Sequence, residues 1–160
     1  MNTCRTVQAR LDASTPEQTT PTNIPAAPSE DGKLEVFVLF TNTAATLFAL
    51  KFAERLAMKL GVRLKLLMPY EVPYSLPLTR SAVAVGFLEG QLRDLASASP
   101  LEISAHIFLC RDKRRTLRLL LKPRSILVIS GRKRWWPTEE QWLARMLKHD
   151  GQHVIFAELR

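Results

Sequence analysis

From Leu34 to the end of the chain, short apolar runs of strand length alternate with stretches whose apolar residues recur every three or four positions. Neither pattern can bury its apolar side in the other's conformation, so regular switching between them restricts the fold to strands interleaved with helices. The run from Leu34 to Phe40 lies between Gly32 and Thr41-Asn42-Thr43, and its β-branched and aromatic content predicts a central buried strand. Leu47, Leu50, Ala53, Ala57 and Leu60 then follow at helical spacing, with Lys51, Glu54, Arg55 and Lys59 opposite and Gly61 at the C-terminal capping position. Residues 62–68 alternate as a second strand. Pro69, Pro73 and Pro77 are expected to end it in a stiff loop, because proline removes ladder donors.

Residues 79–98 place Ala82, Val85, Leu88, Leu92 and Leu95 on one stripe, a second helix despite Gly86 and Gly90. In residues 101–109 one face is uniformly apolar and the other begins polar, as in a strand near a sheet edge. A short helix over 114–122 turns Leu117, Leu120 and Leu121 inward and ends at Pro123. Residues 126–131 form a fully apolar fourth strand. Thr138 and Gln141 make a capping box for the last helix, Glu139 and Glu140 sit at the positive end of its dipole, and Gly151 closes it. Residues 153–159 supply a fifth strand. The order βαβαβαβαβ with short connections implies an α/β domain: five parallel strands with helices on both faces.

Residues 1–32 carry no sustained apolar period and are rich in Thr, Ser, Pro and Ala, so they read as a flexible tail ahead of a single domain over 33–160. The tail holds two bases (Arg5, Arg10) and four acids (Asp12, Glu17, Glu30, Asp31). Of the chain's net +8, the part from Lys33 onward therefore carries +10, from 21 bases and 11 acids. An apolar fraction of 46% supports a core. Cys4 and Cys110, the two cysteines, make neither a disulfide framework nor a zinc pair, and a reducing compartment is the expectation. No stretch approaches the roughly 18 apolar residues of a membrane span and no signal region opens the chain, so the expected location is cytoplasmic and away from membranes.

Strand and helix count does not separate families, but local wording does. Residues 41–57 resemble the first loop and Ala-rich helix of the universal stress protein (UspA-like) family; residues 125–131 resemble its fourth strand and following glycine. Residues 140–149 with Val154-Ile155-Phe156 resemble its last helix and terminal strand. This resemblance implies strand order 3-2-1-4-5, a Rossmann-like nucleotide-binding architecture of the α-hydrolase type, a homodimer paired through Val154 to Leu159, and ATP or another nucleotide as ligand. Two departures bear on that ligand. Thr41-Asn42-Thr43 stands where ATP-binding members carry an Asp, and Gly131 is followed by Arg132-Lys133-Arg134-Trp135-Trp136-Pro137 in place of a glycine-rich phosphate loop.

Ligands of open parallel sheets bind beyond the carboxyl ends of the strands, near the reversal of strand order. That rim collects Thr41, Asn42, Thr43, Arg111, Gly131, Arg132, Lys133 and Arg134 as candidate anion-binding residues, with Tyr70, Tyr74, Trp135 and Trp136 as stacking surfaces. Bases beside aromatic rings suit a nucleotide, a phosphorylated small molecule or nucleic acid. The alternative for the basic runs is a solvated, solubilising loop. Cys110 reads as a small buried hydrophobe rather than a reactive thiol, and His149 as a helix-dipole partner. No nucleophile elbow, P-loop, zinc pair or paired-carboxylate motif occurs, and no acidic pair follows the first strand as a phosphoacceptor domain requires. The expectation is a non-enzymatic regulatory or binding domain with a degenerate nucleotide pocket and an anionic ligand; the alternative is non-specific nucleic-acid binding through the basic loops.

Overall fold

Each apolar run becomes a strand and each three-four stripe a helix in the computed structural model, which describes residues 4–9, 34–77, 82–122, 125–132 and 138–159. The elements are β1 (Cys4–Ala9), β2 (Glu35–Leu39), α1 (Thr43–Leu60), β3 (Leu64–Glu71), α2 (Ala82–Ser97), β4 (Ile103–Cys110), α3 (Lys113–Leu120), β5 (Ser125–Arg132), α4 (Glu139–His149) and β6 (His153–Leu159). Sheet order is β1-β4-β3-β2-β5-β6. The five strands from β2 to β6 are all parallel and, counted among themselves, follow the expected order 3-2-1-4-5.

Alternation along the strands divides the core between the two faces of the sheet. Val36, Val38, Leu64, Leu66, Ile103, Ala105, Ile107 and Leu109 pack under α1 and α2, against Ala49, Leu50, Ala53, Leu92 and Leu95. Phe37, Leu39, Leu67, Phe108, Leu127 and Ile129 pack on the other face under α3 and α4, against Leu117, Leu121, Leu143 and Leu147. Burial of this kind, roughly 1.5–3 kcal/mol for each fully covered side chain, is the dominant favourable contribution to the fold. Local signals mark the helix ends. The Asn42 side chain accepts from the Ala45 N–H to cap α1, and Gly61 ends that helix in the left-handed region at φ 64°. Thr138 caps α4, with its hydroxyl accepting from the Gln141 N–H at 3.4 Å.

Two expectations are corrected. The sheet has six strands, because Cys4–Ala9, read from sequence as part of a flexible tail, pairs antiparallel with β4. The physical reason is tertiary: β4 ends the parallel series with one row of backbone donors and acceptors unpaired, and β1 supplies their partners. The rest of the stretch to residue 33 lies outside the described residues. The second correction concerns Pro69, which does not end its strand. β3 runs on to Glu71, with Pro69 in register with Phe108 of β4. The Leu67 carbonyl accepts from the Phe40 N–H just past β2, while the Val72 N–H bonds toward β4, so alternation turns the side of Pro69 that lacks a donor toward β2. β2 has already ended there, and no ladder bond is lost.

Candidate functional site

Reversal of strand order falls between β2 and β5. There the Thr41 hydroxyl donates to the Ser130 carbonyl at 3.1 Å, tying together the ends of β2 and β5, 89 residues apart. The Thr41 N–H donates to the Thr46 hydroxyl at 3.2 Å, and Asn42 caps α1, so the turn that opens the helix is fixed on both sides. Thr43 begins α1 and is exposed. Ser130 is fully buried on the α1 side of the sheet, and its hydroxyl has no hydrogen-bond partner among the described residues. Gly131 is buried as well, and a Cβ there would stand 3.2 Å from the ring end of Phe156 and 3.4 Å from the Glu140 Cβ. Its small size thus serves the packing of β5 against β6 and α4. Arg132 ends β5 and is exposed. The structure therefore brings Thr41, Asn42, Thr43, Gly131 and Arg132 to one place. Lys133, Arg134, Trp135 and Trp136 lie outside the described residues.

Arg111 takes another part. Its guanidinium donates to the carbonyls of Val72, Pro73 and Leu76, at 2.8 Å and 2.7 Å for the first and last, and lies 5.2 Å from the ring centroid of Tyr74. These contacts hold the proline-containing loop after β3 against the start of α3. Three carbonyls already occupy the charge that the sequence offered to a ligand. Tyr70 sits at the exposed end of β3.

Beside this loop, between the N-termini of α3 and α4, runs a groove of about 360 Å³. Its charged lining is three acids (Glu71, Asp112, Glu139) and three bases (Arg111, Lys113, Arg114), with Tyr74 and Trp142 as aromatic walls. The Glu71 carboxylate accepts from the Lys113 N–H at 2.9 Å, and the Asp112 carboxylate accepts from the N–H groups of Arg114 and Arg115 at 2.9 and 3.0 Å. Two carboxylates of the chain itself thus fill the anion position that the first turn of α3 would otherwise present. Lys113 pairs with Glu139 at 3.7 Å, and the Arg114 guanidinium lies 3.6 Å from the Trp142 ring centroid, a cation–π contact. In the groove that follows β4, acids and bases are therefore equal in number, with Lys113 facing Glu139 and Arg114 facing Trp142. Sequence reasoning missed Glu71 and Glu139 as members of this rim; the available signal was Asp112, an N-cap residue type directly before a helix. Among the described residues no group of three or more His, Cys, Asp and Glu is placed to hold a metal ion, and no helix is long and apolar enough to cross a membrane.

Five parallel strands wound from the centre outward, helices on both faces and a polar turn at the switch point define an open, doubly wound α/β domain of Rossmann-like type. Its backbone is similar to that of a universal stress protein from Archaeoglobus fulgidus, at a TM-score of 0.56 and 14% identity over 78% of this chain and 93% of that one. It is also similar to a protein from the universal stress protein family of Burkholderia pseudomallei, at a TM-score of 0.52 and 18% identity over 78% of this chain and 96% of that one. The fold is that of the universal stress proteins, as the resemblance in the sequence implied. At the level of sequence, the chain matches no protein-family model and no curated protein.

Proposed function

We propose that the chain is a divergent universal-stress-protein-like binding domain, regulatory rather than catalytic, that takes a nucleotide or phosphorylated small molecule at the β2/β5 switch point. The observation that carries this reading is the Thr41–Ser130 hydrogen bond. It joins the two strand ends that flank the ligand position of this architecture, beneath the α1 N-terminus and beside the exposed Arg132. The buried Ser130 hydroxyl adds a polar group without a described partner at the same place. The anionic ligand is assigned to this point rather than to Arg111, whose guanidinium is held by carbonyls. The pocket is degenerate in that no glycine-rich loop follows β5, and Arg132 with Lys133 and Arg134 takes its place as the source of positive charge. A homodimer paired through Val154 to Leu159 goes with this reading, since β6 is the other outer strand of the sheet.

The test is thermal unfolding of the full chain with ATP, AMP and inorganic phosphate. A bound nucleotide at a hundredfold excess over its Kd stabilises by about 2.7 kcal/mol, a rise of roughly 5–10 °C in Tm for a chain of this size. Arg132→Ala combined with Thr41→Val is expected to remove the rise. An unchanged Tm at millimolar concentrations of all three compounds would overturn the reading.

A further inference from the structure

β1 lies on β4 in unbroken register from Cys4 opposite Cys110 to Ala9 opposite Ala105. The two cysteines of the chain are thus cross-strand partners, although 105 residues lie between them in sequence if one counts from one and stops before the other. The backbone of Cys110 fixes the kind of pair. Its carbonyl accepts from the Val72 N–H at 2.8 Å, on the β3 side, so its donor and acceptor turn away from β1. Relative to β1, Cys4 and Cys110 therefore form a non-hydrogen-bonded antiparallel pair. Such pairs hold their Cα atoms about 4.5 Å apart, inside the roughly 4.4–6.8 Å span of disulfides. Cys110 belongs to the α3/α4 face of the sheet, since Phe108, two positions before it, packs there, and residues opposite each other in an antiparallel pair share a face.

We propose that Cys4 and Cys110 are a redox pair whose disulfide staples the N-terminal strand to the edge of the parallel sheet. The oxidant is a hydroperoxide. One thiolate attacks its O–O bond, becomes a sulfenic acid and releases water or an alcohol; the partner thiol then attacks that sulfur, expels water and closes the S–S bond. Two thiols lose two hydrogens in total, and a thiol reductant restores both. Cys110 is fully buried and donates weakly from Sγ to the Tyr70 carbonyl at 3.6 Å, so reduction returns it to an internal contact. In the reduced form β1 is held by noncovalent pairing over six residues; in the oxidised form the strand cannot leave β4.

The experiment treats the full chain with hydrogen peroxide, quenches with an alkylating agent and maps peptides without reduction. The expected product is a monomer in which the Cys4 and Cys110 peptides are joined with loss of two hydrogens. Closure of so long a loop is expected to raise Tm by roughly 5–10 °C, reversed by dithiothreitol. Cys4→Ser is expected to abolish both the linked peptide and the shift while keeping the circular dichroism of the parent. Cys110→Ala, which leaves a small apolar group in the buried position, is the second variant and is expected to do the same. Alkylation of both cysteines in the peroxide-treated monomer would overturn the proposal, as would disulfide-linked dimers as the sole oxidised product.

Discussion

At Arg111 the sequence shows a base at the head of a basic run, and the structure shows a guanidinium given over to three backbone carbonyls of the loop after β3. Residue type reveals charge but not the atoms that use it, and those carbonyls lie 35 to 39 positions away. Thr41 was legible because a polar turn at a strand end is a local signal; its partner, the Ser130 carbonyl, became visible only with the strand order. His106 makes the same point through pH. It stands in β4 with its ring 6.2 Å from that of Phe108, and burial lowers its pKa from 6.5, with nearby Lys65 adding to the effect and Glu35 opposing it. The folded protein thus favours the neutral ring while the unfolded chain takes up a proton in the ordinary range. Stability is therefore expected to fall as pH drops below about 6.5 toward the lower folded pKa, and His106→Asn is expected to flatten that slope. Urea midpoints of both proteins between about pH 7 and pH 5.5 check this; parallel curves would sink it.

Among the elements, those with both a stripe and a stop signal were the most legible. α1 has Asn42 before it and Gly61 after it, and its observed bounds meet both. Asn42→Ala removes the acceptor for the Ala45 N–H and is expected to cost about 1 kcal/mol, read as a lower denaturant midpoint with an unchanged slope. A loss below about 0.3 kcal/mol would show that a neighbouring group or water replaces the cap. β3 was legible only in its first half, since a proline is ordinarily a strand breaker. That Pro69 is tolerated depends on where β2 stops, a fact about a neighbour. β1 carried the weakest signal of all: Cys4-Arg5-Thr6-Val7-Gln8-Ala9 has no two adjacent apolar residues and no sustained apolar period, and its strand conformation is conferred by the open side of β4.

For the whole molecule, the parallel sheet and its two helical layers followed from periodicity and connection length, which act over a few residues and a short loop. The closure of the β4 side did not, because β1 and β4 are the paired strands that lie farthest apart in sequence. Its effect is testable at this scale. A chain lacking residues 1–9 exposes the backbone row of β4, and light scattering is expected to show a larger mass, or aggregation, relative to the full chain at the same concentration. An unchanged mass would mean that β1 does not protect the edge. The candidate site divides in the same way: the switch point came from topology inferred correctly, whereas the balance of acids and bases in the α3/α4 groove depends on Glu71 from the end of β3 and Glu139 from α4.

Antiparallel pairing of β1 with β4 also has a consequence in time. β1 leaves the ribosome ahead of its partner, which follows only after about a hundred further residues have been made. At about 5–20 residues per second, that is a wait of roughly 5 to 20 seconds. During synthesis β2, α1 and β3 can associate in the order in which they emerge, whereas β1 has nothing to pair with until β4 appears. The nascent chain thus carries β1 unpaired while four further elements are made, and completes that side of the sheet by reaching back to it.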